Sequence, residues 1–180
     1  MMSLKRLVSL FFLFFLLIVK VQSQDFSLKT NTLFWGTLTP NLGAEFKLSN
    51  KYTTDILAAY RPWNKMGDRT MRFWLFQPEV RRWLCEPYEG HFLGAHLHGA
   101  QYYMADGKKV YDGYLVGAGL SYGYQLILSS RWSIEAEIGA GYAYLWYKRR
   151  PDLPCKKCIV NKHKNYVGVT KAAVSLIYVF

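Results

Sequence analysis

The sequence predicts an all-β fold, an eight-stranded antiparallel transmembrane β-barrel with short periplasmic turns and longer extracellular loops. Three observations predict it. The chain opens with an export leader, its body alternates with period two over runs too long for a soluble sheet, and it ends on an aromatic residue of an alternating strand. Composition agrees. Of 180 residues, 17% are aromatic and 19% charged, against about 25% charged in soluble domains. So much aromatic mass excludes a disordered chain. The 14 glycines exclude a coiled coil, because glycine weakens helix interiors.

Lys5-Arg6 form a basic start, and Leu7 to Val19 is apolar but for Ser9. That run is shorter than the roughly 20 residues of a spanning helix and fits the apolar core of a secretory leader. Val21-Gln22-Ser23 suits cleavage before Gln24, giving a signal peptide over 1–23 and a barrel domain over 24–180. The alternative is an uncleaved anchor, against which Lys20 closes the run early. The whole chain carries +11; removing the leader leaves 20 basic against 12 acidic residues, a net +8.

The first strand is expected over Leu28 to Thr39, with Pro40-Asn41 as a tight outer turn. Its alternation is poor, and a periplasmic cap or plug segment is the competing reading. From Leu42 the pattern is regular. Ala44, Phe46 and Leu48 oppose Glu45 and Lys47; Ile56, Ala58 and Tyr60 oppose Asp55, Leu57 and Ala59. Trp74, Phe76, Pro78 and Val80 oppose Gln77, Glu79 and Arg81, and Pro78 suggests a bulge because proline costs a ladder hydrogen bond. Leu93, Ala95 and Leu97 oppose Gly94, His96 and His98. Tyr114 to Leu126 sets tyrosines and aliphatics against glycines, Ser121 and Gln125. Trp132 to Trp146 is the clearest run. Its even positions are apolar with aromatics at both ends, and its odd positions hold Glu135, Glu137 and small residues. A soluble sandwich strand averages about five or six residues, so a run this long points to a barrel wall with aromatic girdles.

The last strand reads Ala172, Val174, Leu176, Tyr178 and then Phe180. It resembles the terminal strand of bacterial outer-membrane barrels, which their assembly machinery reads, so Tyr178 and Phe180 are the candidate assembly signal. The connections at 49–51, 85–90 and 128–131 are short, whereas Arg61 to Thr70, Met104 to Tyr111 and Lys148 to Asn165 are longer and polar. Single-chain bacterial barrels have even strand numbers and short periplasmic turns. Phe180 therefore belongs in the periplasm, and an eighth strand is required ahead of Leu42. The expected address is the cell outer membrane.

The inward faces gather Glu45, Lys47, Asp55, Glu79, Arg81, His96, His98, Glu135 and Glu137. Eight strands leave room for side chains only, and buried charges must pair. The plain reading is a polar network that fills the lumen. The functional readings are a proton-linked or gated path, or a metal held by His96, His98 and a glutamate. Zinc requires three or four ligands, and no spacing secures the third, so no metal or other cofactor is expected. Cys155-Lys156-Lys157-Cys158 sits in the longest loop. In an oxidising compartment this favours a local disulfide; a zinc knuckle with His163 is the alternative. The same loop is basic, through Lys148, Arg149, Arg150, Lys156, Lys157, Lys162 and Lys164 against Asp152. Such a run suits a solvated face or the phosphates of outer-leaflet lipid, and export disfavours nucleic acid as a partner.

Several blocks together resemble a known family. They are Thr39-Pro40-Asn41-Leu42-Gly43-Ala44-Glu45, Gln77-Pro78-Glu79-Val80-Arg81, Gly90-His91-Phe92-Leu93-Gly94-Ala95-His96, Ser121-Tyr122-Gly123-Tyr124-Gln125, Glu135 to Tyr142 and the C-x-x-C loop. The chain from about Leu28 to Phe180 is similar to an uncharacterised outer-membrane family of the Bacteroidetes. The resemblance implies a domain of unknown function, sometimes encoded beside fimbrial components, and supplies no catalytic residues.

The expectation for function is a non-enzymatic outer-membrane barrel, structural or surface-interacting, as an accessory to fimbriae or other surface proteins. Its partners would be outer-membrane lipids and the barrel-assembly machinery. The alternative is a lipid-modifying enzyme or protease on a small barrel. Lipid A deacylases set His and Ser two apart on one strand face; here that spacing gives His96 and His98. A small pore is a third possibility, opposed by the crowded lumen.

The topology puts Cys85 across a bilayer core of about 30 Å from the other two cysteines, while disulfide partners need Cα atoms within about 7 Å. Mass spectrometry of non-reduced peptides is expected to show a Cys155–Cys158 link and Cys85 as a free thiol. A bond from Cys85 to either of the others would overturn the strand count.

Overall fold

A computed structural model describes residues 26–62, 69–106, 109–151 and 160–180. The expected leader and cleavage site, Cys155, Cys158 and the basic residues Lys156 and Lys157 lie outside the described residues. Eight strands close one ring: β1 (Phe26–Asn31), β2 (Asn41–Lys47), β3 (Tyr52–Arg61), β4 (Arg69–Trp83), β5 (Gly90–Asp106), β6 (Lys109–Ile127), β7 (Trp132–Pro151) and β8 (Val160–Val179). Each pairs antiparallel with its sequence neighbours, and β1 closes the ring on β8 through Ser27↔Val179 to Asn31↔Ser175. Both ends of the described chain and the three connections at 48–51, 84–89 and 128–131 lie at one rim, the turn end.

The alternation dictates which side chains go inside. A period of two sends neighbours to opposite faces, so a strand with acids on one parity and aliphatics on the other has one energetically acceptable register. In β7, Glu135 and Glu137 face in and are buried, while Ile134, Ile138, Tyr142 and Trp146 face out and are exposed. The ring has an apolar exterior and a charged middle, the reverse of a soluble domain. The floor of the lumen at the turn end is apolar, with Trp83, Phe92 and Ile177 fully buried. The Trp83 and Phe92 rings lie 4.9 Å apart.

The strands lengthen around the ring, from 6 residues in β1 to 20 in β7 and β8. The wall therefore has a step where the longest strand meets the shortest. At this step Asn31 ends β1 by putting its side chain where the next strand residue would have paired. Its Nδ2 donates to Ala172 O at 3.2 Å, and its Oδ1 accepts from Val174 N at 3.3 Å. The same Oδ1 accepts from Leu33 N at 3.0 Å, capping a short helix, α1 (Thr32–Gly36). Thr32 Oγ1 donates to Val174 O at 2.7 Å, so edge groups of β8 are satisfied by side chains rather than by a strand.

Three expectations are corrected. The first strand stops at Asn31 rather than Thr39, and α1 replaces the Pro40-Asn41 turn; as a wall strand paired on both edges, β1 is no cap over the turn end. Pro78 carries no bulge. The β4–β5 ladder lapses at Gln77 and Pro78 and resumes in the same register, Phe76↔Gly99 and then Glu79↔His96. The missing N–H is absorbed by a local parting of two strands. The bulge is on β8, where Gly139 pairs with Lys171 and Ala140 with Val169, leaving Thr170 extra. Finally, two polar loops are mostly strand. β5 runs to Asp106, β6 starts at Lys109, and Lys148, Arg149, Lys162 and Lys164 belong to β7 and β8.

Luminal glycines make room for the large side chains opposite. A Cβ at Gly123 would enter the Phe92 ring, whereas one at Gly36 in α1 meets nothing. Gly123→Val is expected to lower stability by about 1–3 kcal/mol through overpacking, and Gly36→Ala to be neutral or slightly stabilising. Urea unfolding in detergent micelles measures both. Equal midpoints for Gly123→Val and wild type would overturn the packing of the floor.

Candidate functional site

The charged middle of the lumen is one cluster centred on Arg81, which is fully buried. Its five N–H donors are all used. Nε donates to Glu79 Oε2 at 2.7 Å, Nη1 to Glu45 Oε2 at 3.0 Å and Glu135 Oε2 at 2.7 Å, and Nη2 to Glu135 Oε1 at 3.2 Å and Glu137 Oε2 at 2.8 Å. The Glu135 contact is bidentate, the geometry that suits a planar guanidinium. The cation also stacks over Phe92, 4.3 Å from the ring centroid, which joins the cluster to the apolar floor.

Two lysines flank this centre. Lys29 Nζ reaches Glu45 at 3.0 Å, Asp55 at 3.2 Å and Glu135 at 3.6 Å. Lys171 Nζ reaches Glu79 at 2.6 Å, Glu137 at 3.0 Å and Asp55 at 3.8 Å. Hydroxyls complete the carboxylates: Thr53 Oγ1 donates to Glu45 Oε1, and Ser121 Oγ donates to Glu79 Oε1. Gly94 keeps the Glu79–Ser121 contact open, since a Cβ there would strike both groups. His96 Nδ1 lies 3.9 Å from Glu79, and its Nε2 meets Thr170 Oγ1 at 2.9 Å. All eight strands contribute a side chain.

Glu45, Asp55, Glu79, Arg81, Glu135, Glu137 and His96 are thus brought together. His98 stands one position higher, its ring 5.6 Å from that of His96. Lys47 is half-buried toward the turn end. Tyr178 and Phe180 are outside the lumen at the turn end: Phe180 packs on Phe26 and Tyr178, and Tyr178 packs on Trp132 and accepts from Arg131 at 3.0 Å. Cys85 is an exposed free thiol in the β4–β5 turn. Sequence reasoning missed Lys29 and Lys171. Lys171 has the parity opposite to Ala172, Val174 and Leu176 and was open to discovery on that count. Lys29 was hidden in the weakest strand. Nothing in the sequence pointed to Thr170, because the bulge that turns it toward His96 has no residue signature.

Chemically, the cluster joins groups to each other rather than to an outside molecule. Ser121, Glu79 and His96 adjoin in the wrong order for acyl transfer, because the serine is bonded to the acid and not to the imidazole. Among the described residues, no three His, Cys, Asp or Glu side chains are grouped to hold a metal ion. Five carboxylates face three permanent cations, so the cluster is acidic in balance.

The chain belongs to the family described as Protein of unknown function (DUF3575), whose family model matches residues 9–180. No curated protein and no solved structure matches it.

Breaking a buried ion-pair cluster at one partner costs about 3–5 kcal/mol, because the remaining charges stay buried. Arg81→Met is expected to lower stability by that amount, and adding Glu135→Gln to recover part of it by removing one stranded charge. Denaturant midpoints of refolded protein measure both. A wild-type midpoint for Arg81→Met would show that the cluster does not hold the ring.

Proposed function

We propose that this member of the family is a non-enzymatic outer-membrane barrel, with the turn end in the periplasm and the tall wall of β5 to β8 at the cell surface. One observation carries the reading: the ring is inside-out. Its charges are paired within, and its outer face is a continuous apolar band between aromatic rows. One row follows a single register line, Tyr60↔Trp74↔Gln101↔Tyr114↔Trp146↔His163. Gln101 bridges it, accepting from Trp74 Nε1 at 3.1 Å and donating to Tyr114 OH at 3.2 Å. The other row, at the turn end, holds Phe26, Phe46, Trp132, Tyr178 and Phe180.

The spacing suits a bilayer. Trp132 and Trp146, which stand in the two rows on β7, are fourteen residues apart. At about 3.4 Å per residue and a tilt of about 40°, they lie about 36 Å apart along the axis. That exceeds an apolar band about 25 Å tall and falls within the roughly 40–45 Å of a bilayer with its headgroup regions. Above that band β7 and β8 continue with Lys148, Arg149, Lys162 and Lys164, a basic wall suited to lipid phosphates or to a surface partner. A fimbrial partner rests on the sequence resemblance alone. The filled lumen supports a structural role over a pore. Phe180, exposed at the foot of β8, is proposed as part of the signal read during assembly.

Unboiled protein extracted from the outer-membrane fraction is expected to migrate differently from boiled protein on a denaturing gel, because a closed ladder resists unfolding. Deleting Phe180 is expected to reduce that folded band in cells. Recovery of the wild type in the soluble periplasmic fraction would overturn the membrane reading; wild-type assembly of the truncated chain would overturn the role of Phe180.

A further inference from the structure

The step in the wall leaves a gap above Asn31, where β8 continues without a paired strand on its β1 side among the described residues. A cavity of about 340 Å³ lies at this gap. It is lined on the luminal side by Leu57, Leu75, Gln77 and Ala173, and by Phe34 from α1. Its lining also includes Val169 and Ala172, which face outward on β8, so the cavity reaches around the strand edge to the exterior of the ring. α1 lies across the opening, held by the Asn31 and Thr32 bonds to β8.

The cavity is apolar with one polar demand. Gln77 is 3% exposed, and its Nε2 has no hydrogen-bond partner. A buried donor left unpaired is costly, so the site is completed by a group that accepts a hydrogen bond there. The volume is at the low end of ligand pockets, which span about 300–1,000 Å³; it fits one short chain and not a phospholipid. Charge narrows the head group further. The cluster beneath has five carboxylates to three permanent cations, and the ammonium of Lys171, whose stem helps line the cavity, is already bound to Glu79 and Glu137. An anionic head would enter an acidic field in which the lining cation is already bound.

We propose that the cavity at the gap between β8 and α1 binds a single-chain amphiphile with an uncharged, hydrogen-bond-accepting head, its chain on Phe34, Leu57 and Leu75 and its head on the Gln77 amide. Entry is lateral, from the outer leaflet past Val169 and Ala172; this route rests on the membrane reading above. The Asn31 and Thr32 side chains act as the latch, since they replace backbone pairing that would otherwise seal the wall.

The test uses purified, delipidated full-length barrel in micelles with the monoacylglycerol monocaprin carrying a diazirine in its chain. Saturable photolabelling is expected on the peptides holding Phe34, Leu57 and Leu75. Unlabelled monocaprin competes and decanoate does not. Leu57→Trp, which fills the cavity, abolishes the labelling, and Gln77→Leu weakens it about three- to tenfold, the equivalent of one neutral hydrogen bond. Leu75→Trp serves if Leu57→Trp loses its folded band. Labelling confined to outward positions such as Leu93 and Leu120, equal competition by decanoate, or full labelling of a folded Leu57→Trp barrel would each overturn the proposal, as would a cavity holding water only. Labelling is read on the purified chain and fractionation on cells, so failure of the membrane reading shows in the second experiment alone.

Discussion

Everything in this ring depends on one buried guanidinium. Eight strands enclose a space wide enough for side chains and too narrow to hydrate them, so an ion placed there must find its counter-charges in the wall. Arg81 does this with all five of its donors, spread over four glutamates on β2, β4 and β7. Lysine could not replace it, because three donors on one point cannot span that arc. Since β2 and β7 are far apart in sequence, the cluster closes the ring across its interior as the ladder closes it around the circumference. Buried ion pairs are a weak source of net stability. What they supply here is register: sliding any contributing strand by one residue would turn its charge outward.

The inside-out exterior follows from the same constraint. With polar groups consumed in the lumen, the outward parity is left to Leu, Ile, Val and aromatics, and Leu120, Ile138 and Val167 are largely exposed. Water does not favour a surface like that; a lipid solvent does. On the proposed membrane reading, the aromatic rows have a physical reason to sit at both ends, where an apolar ring with a polar edge would meet headgroups.

Legibility in the sequence varied with how one-sided the environment was. Where one face is charged and the other apolar, as in Trp132 to Trp146, the period of two alone gave the strand and its inward face, and Glu135 and Glu137 followed. Beyond the aromatic row at the loop end both faces are wet, so strand and loop carry the same polar residues. That is why 148–151 and 160–165 read as loop, although they are paired. Lys29 and Asn31 failed to register for another reason. β1 is only 6 residues long, too short for periodicity to show, and Asn31 ends it by side-chain mimicry of the backbone. The β8 bulge at Thr170 and the unbroken register at Pro78 show that ladder defects are settled by the partner strand, which a single sequence does not display.

The uneven wall and the position of the cluster belong together. Lys29, on the shortest strand, pairs with Glu45, Asp55 and Glu135 just below the point where β1 stops. The cluster therefore sits as high as it can while every strand still contributes to it. Above that level a closed wall is no longer required for neutralising charge, and the ring opens on its short side without stranding an ion. The charged layer becomes a floor, sealed below by Trp83 and Phe92, and the space above it mixes Leu57, Ala59 and Leu75 with Gln77, the histidines and Arg61. A ring of uniform height would have buried that space completely. Ending β1 at Asn31 instead leaves it joined to the exterior through one edge, with α1 as the only element between them among the described residues.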